Sequence, residues 1–303
     1  MAAQPFTFEI DSSGPTEGVA TLILEQPTKP VVVLDLELIQ RLEATLASLS
    51  RSVRGMVLAS ASERAFVAGA DLKSIQELND DQLHTYLQYG SRVFGMIADL
   101  PFPTAAAING AALGGGLELA MHCDGLVAAP PPMRDGQPGK PFPVGLPEAG
   151  LGICPGWGGT SLFAARIDPA EAIRRTALGT PMTSAEASEA GLFDALAPDA
   201  SSLRATAKAW VVGQVRGARD RDGAPFRHAG RSACAAKVIG GADRVREQAG
   251  ATDAGRAVLA AVDAAVSRGW KACLEVEQRE LVRLRNTPNG KDLIAAFFAR
   301  SKK

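Results

Sequence analysis

Ile108-Asn109-Gly110-Ala111-Ala112-Leu113-Gly114-Gly115-Gly116-Leu117-Glu118 decides how this chain is read. A short apolar strand runs into a glycine-packed turn, and the turn feeds a short apolar helix that carries Glu118. Glycines let a backbone approach a ligand closely and aim N–H groups at it, and the helix that follows adds a positive dipole end. Such a place binds phosphate, or steadies a carbonyl oxygen that turns negative during a reaction. The closing Lys-Ser/Thr of a phosphate-binding P-loop is missing, and Gly114-Gly115 has no dinucleotide spacing. A tight turn chosen for packing alone stays open as the simpler alternative.

Outward from that turn, a second acid has similar surroundings. Glu148 sits in Gly145-Leu146-Pro147-Glu148-Ala149-Gly150-Leu151-Gly152, followed by Pro155-Gly156-Trp157-Gly158-Gly159-Thr160. An acid in apolar, glycine-rich surroundings is desolvated, and its raised pKa suits proton transfer near neutrality. An oxyanion hole also needs a second N–H donor. Phe66-Val67-Ala68-Gly69-Ala70-Asp71-Leu72, a loop of small residues after a strand, is its source.

Strand and helix signals alternate through the first two thirds of the chain. Val19–Leu24 reads as a buried strand, and Asp35 caps a helix whose Leu36, Ile39, Leu42, Leu46 and Leu49 repeat at helical spacing. Val53–Ala59 and Thr104–Asn109 are further strands, and an amphipathic helix runs from about Asp80 to Leu100. Residues 130–141 form a proline- and glycine-rich excursion. After residue 200 the composition shifts to alanine, arginine and charged residues, with helical spacing in 203–215, 254–267 and 270–285 and a long loop over 216–230. The expected organisation is an α/β core over residues 1–200 and a helical C-terminal region over 201–303.

The 303 residues carry a net charge of -1 and no basic run, which argues against nucleic acid and against a membrane surface as partners. The four cysteines, Cys123, Cys154, Cys234 and Cys273, form no Cys-x-x-Cys pair, so a zinc site or disulfide framework is not expected. His84, His122 and His228 have no metal-ligand spacing, and His122 reads as a core-edge residue beside Glu118. No apolar run reaches the roughly 18 residues of a spanning helix. A cytoplasmic protein is expected.

In order, Ala68-Gly69-Ala70-Asp71-Leu72-Lys73, Ile108 to Glu118, and Leu146-Pro147-Glu148 through Thr160 resemble the crotonase superfamily of enoyl-CoA hydratases and isomerases. The Pro155–Thr160 run and the tail Thr287 to Lys303 look most like the hydratase portion of multifunctional fatty-acid oxidation proteins. The resemblance implies a spiral of ββα units with a helical trimerisation region that also covers the active site. It implies an acyl-CoA thioester as substrate, with CoA belonging to the substrate rather than serving as a cofactor. The carbonyl would be held by the N–H groups of Ala70 and Gly115. Glu118 and Glu148 would be the catalytic acids, the first holding the water and the second serving C2. Ala68, Gly69, Asp71, Lys73 and Gly114 would line the substrate, and Phe297 and Arg300 would reach the CoA of a neighbouring subunit.

Two glutamates favour hydration of a 2-enoyl-CoA. A Δ3,Δ2-enoyl-CoA isomerase, which needs one, and a non-catalytic acyl-CoA binder are the alternatives. A homotrimer or homohexamer is expected, with a β-oxidation dehydrogenase as candidate partner. No Gly-x-Gly-x-x-Gly follows a strand here, so the expectation is a free-standing hydratase-type domain or one cut at the dehydrogenase boundary. Ser161-Leu162 stands where many hydratases carry Gln-Arg, a difference that bears on substrate identity.

Overall fold

A computed structural model describes residues 3–50, 52–133, 136–137, 139–214, 227–228, 231–232 and 235–301. The strands are β1 (Phe8–Ile10), β2 (Val19–Leu24), β3 (Gly55–Ser60), β4 (Ala65–Val67), β5 (Thr104–Ile108), β6 (Ala111–Leu113), β7 (Gly125–Ala128), β8 (Pro143–Gly145), β9 (Met182–Thr183), β10 (Ala195–Leu196), β11 (Arg227–His228) and β12 (Arg231–Ser232). The helices are α1 (Leu36–Ser48), α2 (Leu72–Glu77), α3 (Asp80–Asp99), α4 (Gly115–Met121), α5 (Gly159–Arg166), α6 (Pro169–Leu178), α7 (Ser184–Glu189), α8 (Leu203–Val212), α9 (Ala235–Ala249), α10 (Asp253–Arg268), α11 (Trp270–Arg285) and α12 (Pro288–Ser301). The chain divides into two compact units, each assembled from separate segments: Met1–Gly69, Arg92–Val144 and Met182–Arg219 in the first, and Ala70–Ser91, Gly145–Pro181 and Asp220–Lys303 in the second.

The first unit holds two sheets. One has six strands in the order β1-β2-β3-β5-β7-β10, and the other has four in the order β4-β6-β8-β9. Along the chain, β3 is followed by β4, β5 by β6, and β7 by β8, so each turn of the chain gives one strand to each sheet and then enters a helix. This is the expected spiral of ββα units. Apart from the antiparallel β1–β2 pair, the larger sheet is parallel. Parallel strands are covered on both faces, which is why β3 and β5 read as unbroken apolar runs and are buried at every residue. Helix α8 closes one face: Leu203, Ala207 and Val211 join Val57, Ala105 and Val127 in a shared core.

Local chemistry sets the ends of these elements. The Asp35 carboxylate accepts the Leu38 N–H at 2.7 Å as N-cap of α1 and also takes Gln26 Nε2 at 2.8 Å and Lys29 Nζ at 2.6 Å. The turn after β5 is tied down by Asn109, whose Nδ2 donates to the Ser62 carbonyl at 2.6 Å.

The second unit is helical. Helices α5, α6, α9, α10 and α11 pack on one another, and α12 lies against a short 3-10 turn, Glu148–Leu151. Buried Arg285, at the end of α11, donates to the carbonyls of Ile75 and Leu78 and to Asp80, satisfying the open C-terminal end of α2. Of the segment read as a long loop, residues 216–226 and 229–230 lie outside the described residues, while 227–228 form the short antiparallel pair β11–β12. Leu281, Leu284 and Ile294, apolar residues of the C-terminal helices, are at most 3% exposed. Phe297 alone of the large apolar tail residues is exposed among the described residues.

Asp35→Ala removes the α1 cap and strands two further donors. The variant should lose about 1–2 kcal/mol of unfolding free energy in urea with an unchanged m-value. A loss under half of that would show that α1 does not depend on its cap.

Candidate functional site

The residues of interest fall into two groups, one in each unit. In the first unit β4 and β6 pair in parallel, which brings the 68–69 loop beside the glycine turn. The loop is pinned from both sides: the Ala68 N–H donates to the Val32 carbonyl at 2.8 Å, and the Gly69 carbonyl accepts the Leu34 N–H at 2.8 Å. A Cβ at Gly69 would lie 3.2 Å from the Leu113 carbonyl oxygen, which measures how close the two stretches run.

Helix α4 starts at Gly115 with Gly114 as its N-cap, and no side chain caps it. The Gly114 carbonyl accepts the N–H groups of Leu117 and Glu118 at 2.9 and 3.0 Å. Gly115 is the first helical residue, and an N–H at that position has no intrahelical acceptor. Gly116 has to be glycine, because a Cβ there would lie 2.2 Å from the Val67 carbonyl oxygen. The helix is buried throughout, and Glu118 in its first turn is 1% exposed. His122 closes α4 with Nδ1 2.8 Å from the Glu118 carbonyl oxygen. A carbonyl only accepts, so Nδ1 carries the proton. The Phe94 ring meets the imidazole edge-on at 5.7 Å. His122 is thus a packed, oriented core histidine, at 3% exposure more buried than its sequence reading as core-edge. A cavity of about 600 Å³ in the same unit is lined by Gln26, Lys29, Val32 and Arg64, among others.

In the second unit Asp71 N-caps α2, accepting the Lys73 N–H at 3.2 Å and the Ser74 hydroxyl at 3.0 Å. Its carboxylate is committed to the fold, as helix capping from the sequence suggests. Lys73 is exposed and pairs with Glu77 at 3.7 Å. Phe297 stacks edge-on against Phe298 at 5.7 Å, and Arg300 donates back to the Ala296 carbonyl, both on the outer end of α12. Cys123, Cys154 and Cys273 are buried thiols.

Glu148 opens the 3-10 turn. The residue is half-buried overall, but its Oε2 is fully enclosed and has no hydrogen-bond partner. The enclosed atom governs titration: burial, with the charge of Glu277 added to it, pushes this carboxyl up to about 8.

Glu277 was not singled out from the sequence. It lies fully buried on α11, and its carboxylate accepts the Gly158 N–H at 2.6 Å, the Thr160 N–H at 3.0 Å and the Thr160 hydroxyl at 2.6 Å. The signal was present: Cys273, Glu277, Leu281 and Leu284 share the buried stripe of α11, and one of the four is an acid.

The raised Glu148 carboxyl makes a prediction about stability. Folded, it keeps its proton to about pH 8; unfolded, it gives it up near 4.5. Its contribution is complete below the lower value and is lost as pH rises through the upper one. Glu148→Gln cannot ionise and escapes that loss. By chemical denaturation the variant should gain on the parent between about pH 5 and pH 8, by an amount on the order of a few kcal/mol, and the gain should level off above. Parallel stability curves for the two proteins would contradict the assignment.

Residues 14–218 match the family described as enoyl-CoA hydratase/isomerase. The enoyl-CoA isomerase/hydratase fer4 of Mycosarcoma maydis is 32% identical over 204 residues, which is 65% of this chain and 71% of that protein. A fatty acid oxidation complex subunit alpha of Vibrio cholerae is 28% identical over 289 residues, covering 92% of this chain but only 40% of the longer relative. In fold, the chain is similar to human mitochondrial delta3-delta2-enoyl-CoA isomerase, with a TM-score of 0.69 over 99% of this chain and 98% of that one at 22% identity. The ordered glycine turn, the two acidic motifs and the ββα spiral thus have one origin: the chain belongs to the enoyl-CoA hydratase/isomerase family, with the crotonase fold.

Proposed function

We propose that the protein is an enoyl-CoA hydratase, adding water across the double bond of a 2-enoyl-CoA. The observation that carries the reading is the pair of acids: Glu118 buried in the first turn of α4, and Glu148 with a carboxyl that stays protonated at neutral pH. Glu118 takes a proton from water as its oxygen bonds to C3. The electron pair moves onto the thioester oxygen, where the N–H groups of Ala70 and Gly115 hold the resulting enolate. Glu148 then gives its proton to C2, and the product is the 3-hydroxyacyl-CoA. The carboxyls end with proton and charge exchanged and are reset by exchange with solvent.

In this reading Ala68, Gly69 and Gly114 shape the thioester seat by backbone alone. The cavity beside Val32, with Lys29 and Arg64 on its wall, has room and charge for part of the CoA moiety. Asp71 acts by capping α2 rather than by touching substrate, and Lys73, Phe297 and Arg300 are exposed groups available to CoA. Isomerisation of a 3-enoyl-CoA would use Glu148 alone; the second buried acid favours hydration.

A panel of 2-enoyl-CoA esters, followed by loss of the conjugated absorbance, tests the reading. Glu118→Gln and Glu148→Gln should each lower turnover by about a hundredfold or more, since each removes a positioned proton-transfer group. Gly115→Pro deletes one oxyanion donor at the helix position where proline is best tolerated. It should cost about 3 kcal/mol in the transition state with the circular dichroism spectrum preserved. Near-parental turnover in folded Glu148→Gln would remove the mechanism.

The proposed assembly is a homotrimer or homohexamer in the cytoplasm, with a dehydrogenase that consumes the 3-hydroxyacyl product as partner. No helix among the described residues is long and apolar enough to cross a membrane. Light scattering should give three or six times the chain mass of 31.5 kDa; a monomer at micromolar concentration would reject this part.

A further inference from the structure

We infer that Arg285 is a positioning residue for the oxyanion donor at Ala70: from the end of α11 it clamps helix α2, and α2 carries the segment that presents the Ala70 N–H. The inference deepens the proposed function and rests on that reading for the role of Ala70 only.

Every residue in this chain of contacts belongs to the second unit. Ala70 is followed at once by Asp71, the N-cap of α2, so a shift of the helix reaches the Ala70 N–H within one residue. Helix α2 is poorly equipped to hold itself. Six residues are too few for a helix to persist by propensity. Ile75 is its only buried residue, and its Lys73–Glu77 pair is exposed, where such pairs contribute little. At the α-helical rise it is about 9 Å long, so a displacement at its far end passes to Ala70 almost undiminished.

That far end is where Arg285 acts. One Nη of Arg285 donates to the carbonyls of Ile75 and Leu78, and the other donates to Asp80 at the start of α3. Asn286, the next residue, donates from Nδ2 to the same Asp80 oxygen at 2.9 Å. Asn79 caps α3 by accepting the Gln82 N–H at 2.9 Å, so Asp80 stands on a capped helix start. A single guanidinium thus fixes the end of α2 against both α3 and α11.

The arrangement is not one that stability alone would select. Arg285 is 7% exposed, and its enclosed Nε has no hydrogen-bond partner. Enclosing a cation is costly, and apolar packing in its place is often neutral for stability. What the planar fork adds is direction: two groups in fixed geometry hold two carbonyls and a carboxylate at a set spacing.

The test is Arg285→Met, which keeps the length of the side chain and removes every donor. Hydrogen exchange read by mass spectrometry should quicken about tenfold or more over residues 70–78. A second readout uses butyryl-CoA labelled with carbon-13 at its carbonyl. In the variant, the infrared band of the bound thioester should lie closer to that of the free ester, since one of its two donors is displaced. Turnover of a 2-enoyl-CoA should fall about ten- to a hundredfold, with KM within about threefold. Arg285→Lys keeps the charge without the fork and should recover part of each loss. A loss of stability alone would leave the carbonyl band of the folded variant in place. If Arg285→Met does not fold, Asp80→Ala serves instead. It lies at an exposed position, frees one arm of the clamp, and should move exchange and the carbonyl band the same way by less.

Unchanged exchange over 70–78 in the folded variant overturns the inference, whatever the turnover. Quickened exchange with an unmoved carbonyl band also overturns it, because the donor would then lie beyond the reach of α2. A parent protein that shifts no thioester carbonyl rejects the proposed function instead, and exchange alone then decides whether Arg285 holds the 70–78 segment.

Discussion

A backbone-to-backbone contact governs the first unit. Helix α4 rests on β4 so closely that only a hydrogen can stand at Gly116, opposite the Val67 carbonyl. Seven residues are too few to hold a helix by propensity, so α4 exists because its whole surface is buried. That burial draws in everything attached to it. Glu118 enters the core as part of the helix, and His122 satisfies its own Nδ1–H on the Glu118 carbonyl. Asn109 anchors the strand end that leads into the turn. A larger residue at 116 would lift α4 from β4, and the position of the Glu118 carboxyl would be lost with it.

The second unit meets the same problem, an acid in the interior, by different means. A buried carboxylate is tolerable only where donors meet it. Glu277 is met by three and ties α11 to the start of α5. Glu148 has an enclosed oxygen that nothing meets, and it therefore rests in the neutral form up to about pH 8. Stability and chemistry trade places between these two residues. One contributes a cap and the other an enclosed oxygen without a partner, and under the proposed reading the cost of enclosing the second is part of what a proton-transfer site requires.

Much of this was legible in advance, and the exceptions share a cause. β2 has the bounds its β-branched run suggests, Asp35 caps α1, and the helical spacings after residue 200 correspond to α8, α10 and α11, because in each case local chemistry and tertiary packing agree. Helix α9 went unread: Gly240, Gly241 and a scatter of Arg, Asp and Glu blur its apolar face, and Val238 and Ala242 lie buried on a helix that α6 and α10 pack against. The apolar residues of the C-terminal helices read from the sequence as packing on the core and on neighbouring subunits. Hydropathy shows that a face must be covered but not by what, and here the unit's own core covers Leu281, Leu284 and Ile294. Glu277 was hidden for the opposite reason. A single acid on an apolar stripe looks like an ordinary solvated residue until the donors from a loop more than a hundred residues away are in place.

The fold alone does not choose a reaction, since one arrangement of ββα units supports many. The choice lies in how each acid is enclosed. Under the proposed reading, a hydratase needs one carboxyl ready to accept a proton and another ready to give one at the same pH, and two identical environments could not supply both. Glu118 lies fully buried in the first turn of α4. Glu148 has an enclosed oxygen with no hydrogen-bond partner, and burial favours its proton. The asymmetry lies in the enclosure of the two carboxyls, so a change in the packing around either would alter the pH range of the chemistry before it changed which acyl-CoA is bound.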